Sequence, residues 1–304
     1  MKVLITGSDG FLGRNLKSLL NENGHSVVDF DYKLDKSHDI RDENSIEKII
    51  LIEKPDICVH LAAIANLNHY DDNLEKGGDI NIKGSIGILD ICKKHKIRVV
   101  FASTCCCYGN NKLAVSNEMS VVFPTEPYSQ SKREIELNIF ERNKTMSDDM
   151  KTVICRLATF YGSKFCRRAL ATSLFIEKIH NGETITIHGS GEQHRTYTHV
   201  HDMCTGFLAI LNGIANNKKM HDLYNITRST PISVIDIIKE ASKKLDKPAI
   251  LKFVEDRSSQ FDQLIIENKR LKELGWIPKY DFSTGIDEMI DQFIHTPPKC
   301  EWIL

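Results

Sequence analysis

The first thirteen residues constrain the chain more than any others. Met1-Lys2-Val3-Leu4-Ile5-Thr6 is a short apolar run that leads directly into Gly7-Ser8-Asp9-Gly10-Phe11-Leu12-Gly13. Such a run, bounded by glycine, reads as a buried strand of a parallel sheet. The glycines then fall in the turn that opens a helix. Gly7 permits the tight turn, Gly10 lets the backbone approach a pyrophosphate, and Gly13 lets the helix pack on the strand. The N–H groups of the helix start face the phosphates. Phe11 and Leu12 lie inside the same turn and count with the glycines as cofactor contacts. Glycine-rich turns also join strands to helices where no ligand binds, so the rest of the chain must decide.

The order of elements supports a nucleotide site. Strands are expected at Lys2–Thr6, Ser26–Phe30, Ile57–Leu61, Val99–Ala102 and Thr152–Arg156. Helices are expected at Phe11–Asn23, Glu43–Glu53, Asp79–His95 and Pro127–Asn143. This alternation implies an α/β fold, a doubly wound parallel sheet of Rossmann type. The second strand runs into Asp31, roughly 20 residues past the glycines, where an acid hydrogen-bonds the adenosine ribose. A carboxylate there repels a 2′-phosphate, so NAD is favoured over NADP. Past Gly162 the alternation weakens. The reading is an NAD-binding domain over residues 1–165, with residues 196–226 returning to it, and a smaller, interleaved substrate region over 166–304.

Composition narrows the classes. The chain has 304 residues, a formal net charge of −1 and no block of one sign, so neither nucleic acid nor an anionic membrane surface is the expected partner. No apolar stretch approaches the ~20 residues of a membrane span. The chain opens directly in a strand, with no signal peptide expected. Its nine cysteines are odd in number and mostly set in apolar runs, which implies a reducing, cytoplasmic compartment. Cys105-Cys106-Cys107 is poor metal geometry, because neighbours in a strand point to opposite faces.

Catalytic chemistry is concentrated in two segments. Tyr128-Ser129-Gln130-Ser131-Lys132 places a phenol and an ammonium on one face of a helix. A free tyrosine titrates near ~10 and is a poor base at neutral pH. A lysine cation and a positive nicotinamide ring beside it stabilise the phenolate, which then takes a proton from a substrate hydroxyl. Phe101-Ala102-Ser103-Thr104 runs into Cys105-Cys106-Cys107-Tyr108-Gly109 and brings hydroxyls to the carboxyl end of the sheet, where ligands bind in open α/β folds.

These residues, in this order, resemble the extended short-chain dehydrogenases/reductases, the NAD-dependent nucleotide-sugar epimerase/dehydratase family. Gly7, Gly10 and Gly13 match its glycine turn, Asp39-Ile40 its adenine-contacting pair, and His60-Leu61-Ala62-Ala63 its fourth-strand motif along the cofactor. Asn81, Ser103-Thr104, Tyr128, Lys132, Arg156-Leu157 and Tyr161-Gly162 follow in register. Gly189-Ser190-Gly191-Glu192-Gln193 with Arg195, then Arg257, then Leu274-Gly275-Trp276 with Pro278 complete the pattern. The resemblance implies that Thr104, Tyr128 and Lys132 are catalytic and that Arg195 and Arg257 hold a nucleotide diphosphate. It also implies that bound NAD oxidises a sugar hydroxyl, usually at C4, and that the protein is a homodimer through the helices at Asp79–His95 and Tyr128–Asn143.

The step after oxidation is left open. Family dehydratases carry Thr-Asp-Glu where this chain has Thr104-Cys105-Cys106, so neither carboxylate for elimination is present. The plain reading of both Cys105 and Cys106 is packing, with a sugar contact as the alternative for Cys105. Cys106 stands where a cysteine acts as base beside the ketone in relatives that epimerise there, with Lys164 as the matching proton donor. Thr159 replaces the usual asparagine and Ser163 the usual proline, which bears on the sugar's pose. His194, His199 and His201 surround Arg195, but His199 and His201 straddle Val200 in a strand-like run, so no metal is expected. The leading expectation is a nucleotide-sugar epimerase. The alternatives are a dehydratase or keto-sugar epimerase/reductase using Cys106, and a non-catalytic NAD-binding regulatory protein.

Overall fold

The computed structural model describes residues 1–65, 70, 73–109, 115–162, 170–256 and 263–295. The strands in chain order are β1 (Lys2–Thr6), β2 (Ser26–Phe30), β3 (Ile57–His60), β4 (Arg98–Thr104), β5 (Val153–Leu157), β6 (Thr159–Tyr161), β7 (Thr184–His188), β8 (His194–His199), β9 (Leu223–Ile226), β10 (Pro231–Ser233), β11 (Ile250–Val254) and β12 (Gln263–Leu264). The helices are α1 (Phe11–Glu22), α2 (Glu43–Glu53), α3 (Leu74–Gly78), α4 (Ser85–Lys94), α5 (Pro127–Asn143), α6 (Ala171–Asn181), α7 (Val200–Ala215), α8 (Val234–Leu245), α9 (Lys269–Glu273) and α10 (Phe282–His295). A π-helical turn covers Asp79–Gly84 and a 3-10 turn covers Cys105–Tyr108.

The main sheet is parallel throughout, in the order β2-β1-β3-β4-β5-β9. Helices cover both faces, which is why its strands are apolar on both sides. Val3, Ile5, Val59 and Val100 pack with α1 and α7 on one face. Leu4, Cys58, Val99 and Phe101 pack with α2, α4 and α5 on the other. Strand order reverses between β1 and β3, the crevice where open α/β sheets take their ligands. A further cluster, including Phe175, Ile185, Ile237, Ile286 and Met289, joins α6, β7, α8 and α10. Among the described residues, no helix is long and apolar enough to cross a membrane.

Some elements differ from the sequence reading. No strand forms between β2 and β3, so the His60-Leu61-Ala62-Ala63 segment follows the third strand, not a fourth. The helix expected at Asp79 starts earlier as α3 and passes through the π-helical turn before α4. That turn carries the buried Asn81 inward, where its amide accepts from the Ile64 N–H (2.8 Å) and donates to the Ile64 carbonyl (3.1 Å). Tertiary hydrogen bonds here override the regular helix. The cysteine run is a 3-10 turn, not strand, because the Thr104 hydroxyl accepts the Cys106 N–H (3.1 Å) and caps it. His199 ends β8 and His201 lies on α7, so the run they straddle is a strand-to-helix junction. Among the described residues, no group of His, Cys, Asp or Glu comes together as a metal site.

Candidate active site

The glycine turn is built by close backbone approach. Gly7 has φ +74, and a Cβ there would lie 2.7 Å from the Ala62 nitrogen. Ala62 follows β3, so β1 and β3 nearly touch at the crevice, with Leu61 and Ala63 on either side. A Cβ on Gly13 would lie 2.2 Å from the Gly7 carbonyl oxygen, and one on Gly10 3.1 Å from the same atom. α1 starts with no side-chain cap and no acidic residue in its first turn, which leaves its N–H groups and positive dipole end suited to an anion. Leu12 is buried in the core and Phe11 stacks on Phe160, with ring centroids 5.6 Å apart.

Asp31 reaches this turn directly. Its carboxylate accepts the backbone N–H of Asp9 (2.9 Å) and of Lys33 (2.8 Å). Arg14 is held to the Asp9 carboxylate through two bonds of 2.8 Å. Asp39 is engaged by Arg41, whose bonds hold its carboxyl below the usual range against the opposing effect of burial. Ile40 is buried against Gly84 of the π-helical turn. Beneath the crevice, His60 bonds the Thr6 hydroxyl (2.6 Å) and the Ser85 hydroxyl (2.8 Å). Burial, with Lys132 nearby, lowers its pKa to about 3, so it is a neutral strut between β1, β3 and α4.

The catalytic candidates meet where β4 and the 3-10 turn pack on the start of α5. The Cys107 thiol donates to the Ser129 carbonyl (3.5 Å). Lys132 is 2 % exposed and its ammonium donates to the Ala102 carbonyl (2.9 Å). Burial lowers the Lys132 pKa to about 8, with Cys107 and Glu136 opposing. Burial pushes the Tyr128 phenol well above its usual range, and the Cys106 and Cys107 thiols push the same way. Tyr70 meets the Tyr128 ring edge-on, with centroids 6.0 Å apart. The protein alone therefore keeps the phenol protonated, and a cation must be brought beside it before it can act as a base.

Around Cys106 the charges are mixed. The thiol is raised by burial and by Glu126, and lowered by its bond to Thr104 and by Arg195. Arg195 on β8 is therefore near enough for its charge to act on this thiol. The structure favours the packing alternative over the sugar contact for Cys105. It is 2 % exposed, packs with Tyr108, Ala158 and Ile266, and turns its thiol to the Arg156 carbonyl (3.5 Å), so its side chain is not offered to a sugar. Thr159 is exposed at the start of β6, paired with Tyr197. Lys164 and Arg257 lie outside the described residues. Glu126, whose charge raises the Cys106 thiol, is a candidate that the sequence reading missed. Its signal is its place just before Pro127-Tyr128, as the N-cap of α5 in a capping box with Ser129.

The chain is similar to known proteins. A family model described as the NAD dependent epimerase/dehydratase family matches residues 3–227. A putative UDP-glucose 4-epimerase of Methanocaldococcus jannaschii is 28% identical over 95% of this chain and 97% of its own. A dTDP-D-glucose 4,6-dehydratase of Dictyostelium discoideum is 29% identical over 79% of this chain and 61% of its own. The structure of a UDP-glucose 4-epimerase from Thermotoga maritima with UDP-glucose superposes with a TM-score of 0.86 at 26% identity, covering 97% of this chain and 99% of that one. With the family model spanning the glycine turn, both catalytic segments and the last strand of the main sheet, the chain belongs to the NAD-dependent epimerase/dehydratase family and is an enzyme that works with NAD.

Proposed function

We propose that the chain is a nucleotide-sugar 4-epimerase acting through a transient 4-keto sugar. The observation that carries this reading is the turn after Thr104. There the chain closes at once into Cys105–Tyr108, with no carboxylate following Thr104 and with the half-buried Tyr128 and the buried Lys132 on the helix packed against it. The UDP-glucose 4-epimerases among its relatives support the same reading.

The residues fit NAD. Gly7, Gly10, Gly13 and the start of α1 would cradle the pyrophosphate, since any Cβ in the turn meets backbone. Asp31 would take the ribose hydroxyls, with Leu61, Ala62 and Ala63 along the cofactor and Asp39 and Ile40 toward its adenine end. When bound, NAD supplies a reversible hydride acceptor and a positive ring beside the phenol. Tyr128 takes the proton of the C4 hydroxyl as its carbon is oxidised and gives it back on reduction. Lys132, charged below about pH 8, stabilises the phenolate. Thr104 shares a hydrogen bond with the reacting hydroxyl. Arg195, and Arg257 with it, would hold the diphosphate, and Thr159 and Lys164 would contact the sugar.

Asp31→Ser should cut the preference for NAD over NADP by at least ~10-fold, because a like charge opposite a phosphate costs several kcal/mol. Calorimetric titration with both cofactors measures it, and an unchanged ratio removes Asp31 from that role.

Glu126 beside Cys106 favours a second reading, proton transfer or elimination next to the ketone. Incubation with UDP-, GDP-, CDP- and dTDP-hexoses separates the two. A stereoisomer with no net NADH supports the epimerase, an unsaturated or 4-keto product the second reading, and no turnover with any of them counts against both. We also read a homodimer through α4 and α5, consistent with the half-exposed Leu137 on α5. A reducing, cytoplasmic compartment is supported by the free thiols of the described cysteines.

A further inference from the structure

Behind the site lies a buried pair of charges that the proposed chemistry does not use. Glu136 is fully buried and Arg156 is 2 % exposed. The Glu136 carboxylate accepts from Arg156 Nε (2.8 Å) and Nη2 (2.7 Å), from the Ser103 hydroxyl (2.7 Å) and from Arg133 Nη1 (3.0 Å). Ser103 and Arg156 are register partners on β4 and β5. Arg156 also lies over the Tyr108 ring, 4.6 Å from its centroid, and the Tyr108 hydroxyl donates to Asn225 (2.8 Å).

Taking two charges out of water costs several kcal/mol per ion, and apolar residues of equal volume would hold these elements together at less cost. The position of the pair suggests another role. Lys132 is tied to Ala102, Glu136 one helical turn later is tied to Ser103, and the next residue of β4 is Thr104. Successive turns of α5 are thus fastened to successive residues of the strand that ends in the catalytic hydroxyl. Glu136 also supplies negative charge to a lysine that burial would otherwise discharge.

We propose that Glu136, locked by Arg156, is a positioning residue that fixes Lys132 against β4 and keeps its ammonium charged. This rests on the reading of Tyr128 and Lys132 as the acid–base pair. The other titratable groups facing Lys132 do not replace Glu136. Cys107 of the 3-10 turn is pushed up by burial and stays a thiol, and His60 of β3 is neutral. On the π-helical turn, Asp79 and Lys83 pair with each other (2.9 Å). Burial pushes Glu136 up, but its bonds to Arg156 outweigh this and hold it below the usual range, so it remains charged.

The sign of the effect is definite. Lys132 loses its proton as pH rises through about 8. Removing an anion that favours its charged form moves that loss to lower pH. The test uses the NAD-bound protein with lysine labelled at Cε, titrated by NMR, as wild type, Glu136→Gln and the double variant Glu136→Met/Arg156→Met. The double variant leaves no unpaired buried charge and covers the case in which the single one does not fold. In the double variant the Glu136 anion and the Arg156 cation go together, so only kcat is expected to fall, through loss of the tie to Ser103. In Glu136→Gln, which removes the anion alone, the Lys132 titration is expected to fall by about one pH unit. The alkaline limb of kcat should fall with it, and KM for the nucleotide sugar should stay near the wild-type value. A folded Glu136→Gln whose Lys132 titrates as in wild type, or a folded double variant with wild-type kcat, overturns the proposal. A wild type that titrates as expected yet converts no nucleotide sugar instead counts against the functional reading.

Discussion

Tyr128→Phe should lower turnover by ~10²–10⁴-fold, the usual contribution of a positioned acid–base group, while the protein stays folded and binds NAD. The substitution removes one oxygen and leaves the ring, so the edge contact with Tyr70 and the packing of the α5 start against the 3-10 turn persist. What is lost is the group placed to exchange the sugar proton while Lys132 is held at the Ala102 carbonyl. Burial already places the phenol far above its ordinary range in the protein alone. Its use as a base therefore depends on the positive charges gathered beside it, and a neutral ring cannot take its place. The measurement is kcat with the turned-over nucleotide sugar, alongside a melting curve and an NAD titration. A variant within a few-fold of wild type would show that another residue moves the proton.

The second large effect is expected at the opening turn. Gly13→Ala puts a methyl 2.2 Å from the Gly7 carbonyl oxygen and 2.8 Å from Ser8 backbone atoms. No flexible side chain is there to move aside. The helix must shift off β1, and the cradle for the pyrophosphate shifts with it. A loss of ~3 kcal/mol, at the upper end for overpacking, is expected together with loss of measurable NAD binding. The same change at Gly78, on α3, meets nothing within 4 Å. It should be neutral or stabilise by about 0.5–1 kcal/mol, since alanine orders more cheaply than glycine in a helix. Thermal melting and NAD titration of the two variants side by side separate a backbone clash from the general effect of adding a methyl. Equal behaviour of both would contradict the geometry of the turn.

Much of the sheet is legible in the sequence, because strands covered on both faces are apolar throughout and glycine marks their ends. β1, β2, α2 and α5 fall residue for residue where periodicity places them. The short strands of the second half, such as β10 and β12, carry too few residues for a pattern to show. The π-helical turn is invisible for another reason. It exists to bring Asn81 to Ile64, a contact between segments that no local pattern encodes. The site divides in the same way. The glycines, Asp31, Thr104, Tyr128 and Lys132 stand at fixed local spacings, which is why they stand out in the sequence as candidates. Cys105 could be read in sequence either as packing or as a sugar contact, and only the 3-10 turn shows that it faces the core. The link between Glu136 and Arg156 needs the β4–β5 register, although Tyr-x-x-x-Lys-x-x-x-Glu on one helix face hinted that Glu136 looks the same way as the catalytic pair.

The proposed epimerisation oxidises and reduces one sugar carbon within one active site. Its most direct test is turnover of UDP-glucose carrying deuterium at C4, with the product analysed by mass spectrometry and NMR. The expected result is a UDP-hexose inverted at C4 that retains the deuterium at that carbon. A product that has exchanged its C4 deuterium for solvent hydrogen, or an inversion that proceeds unchanged in Tyr128→Phe, would contradict it.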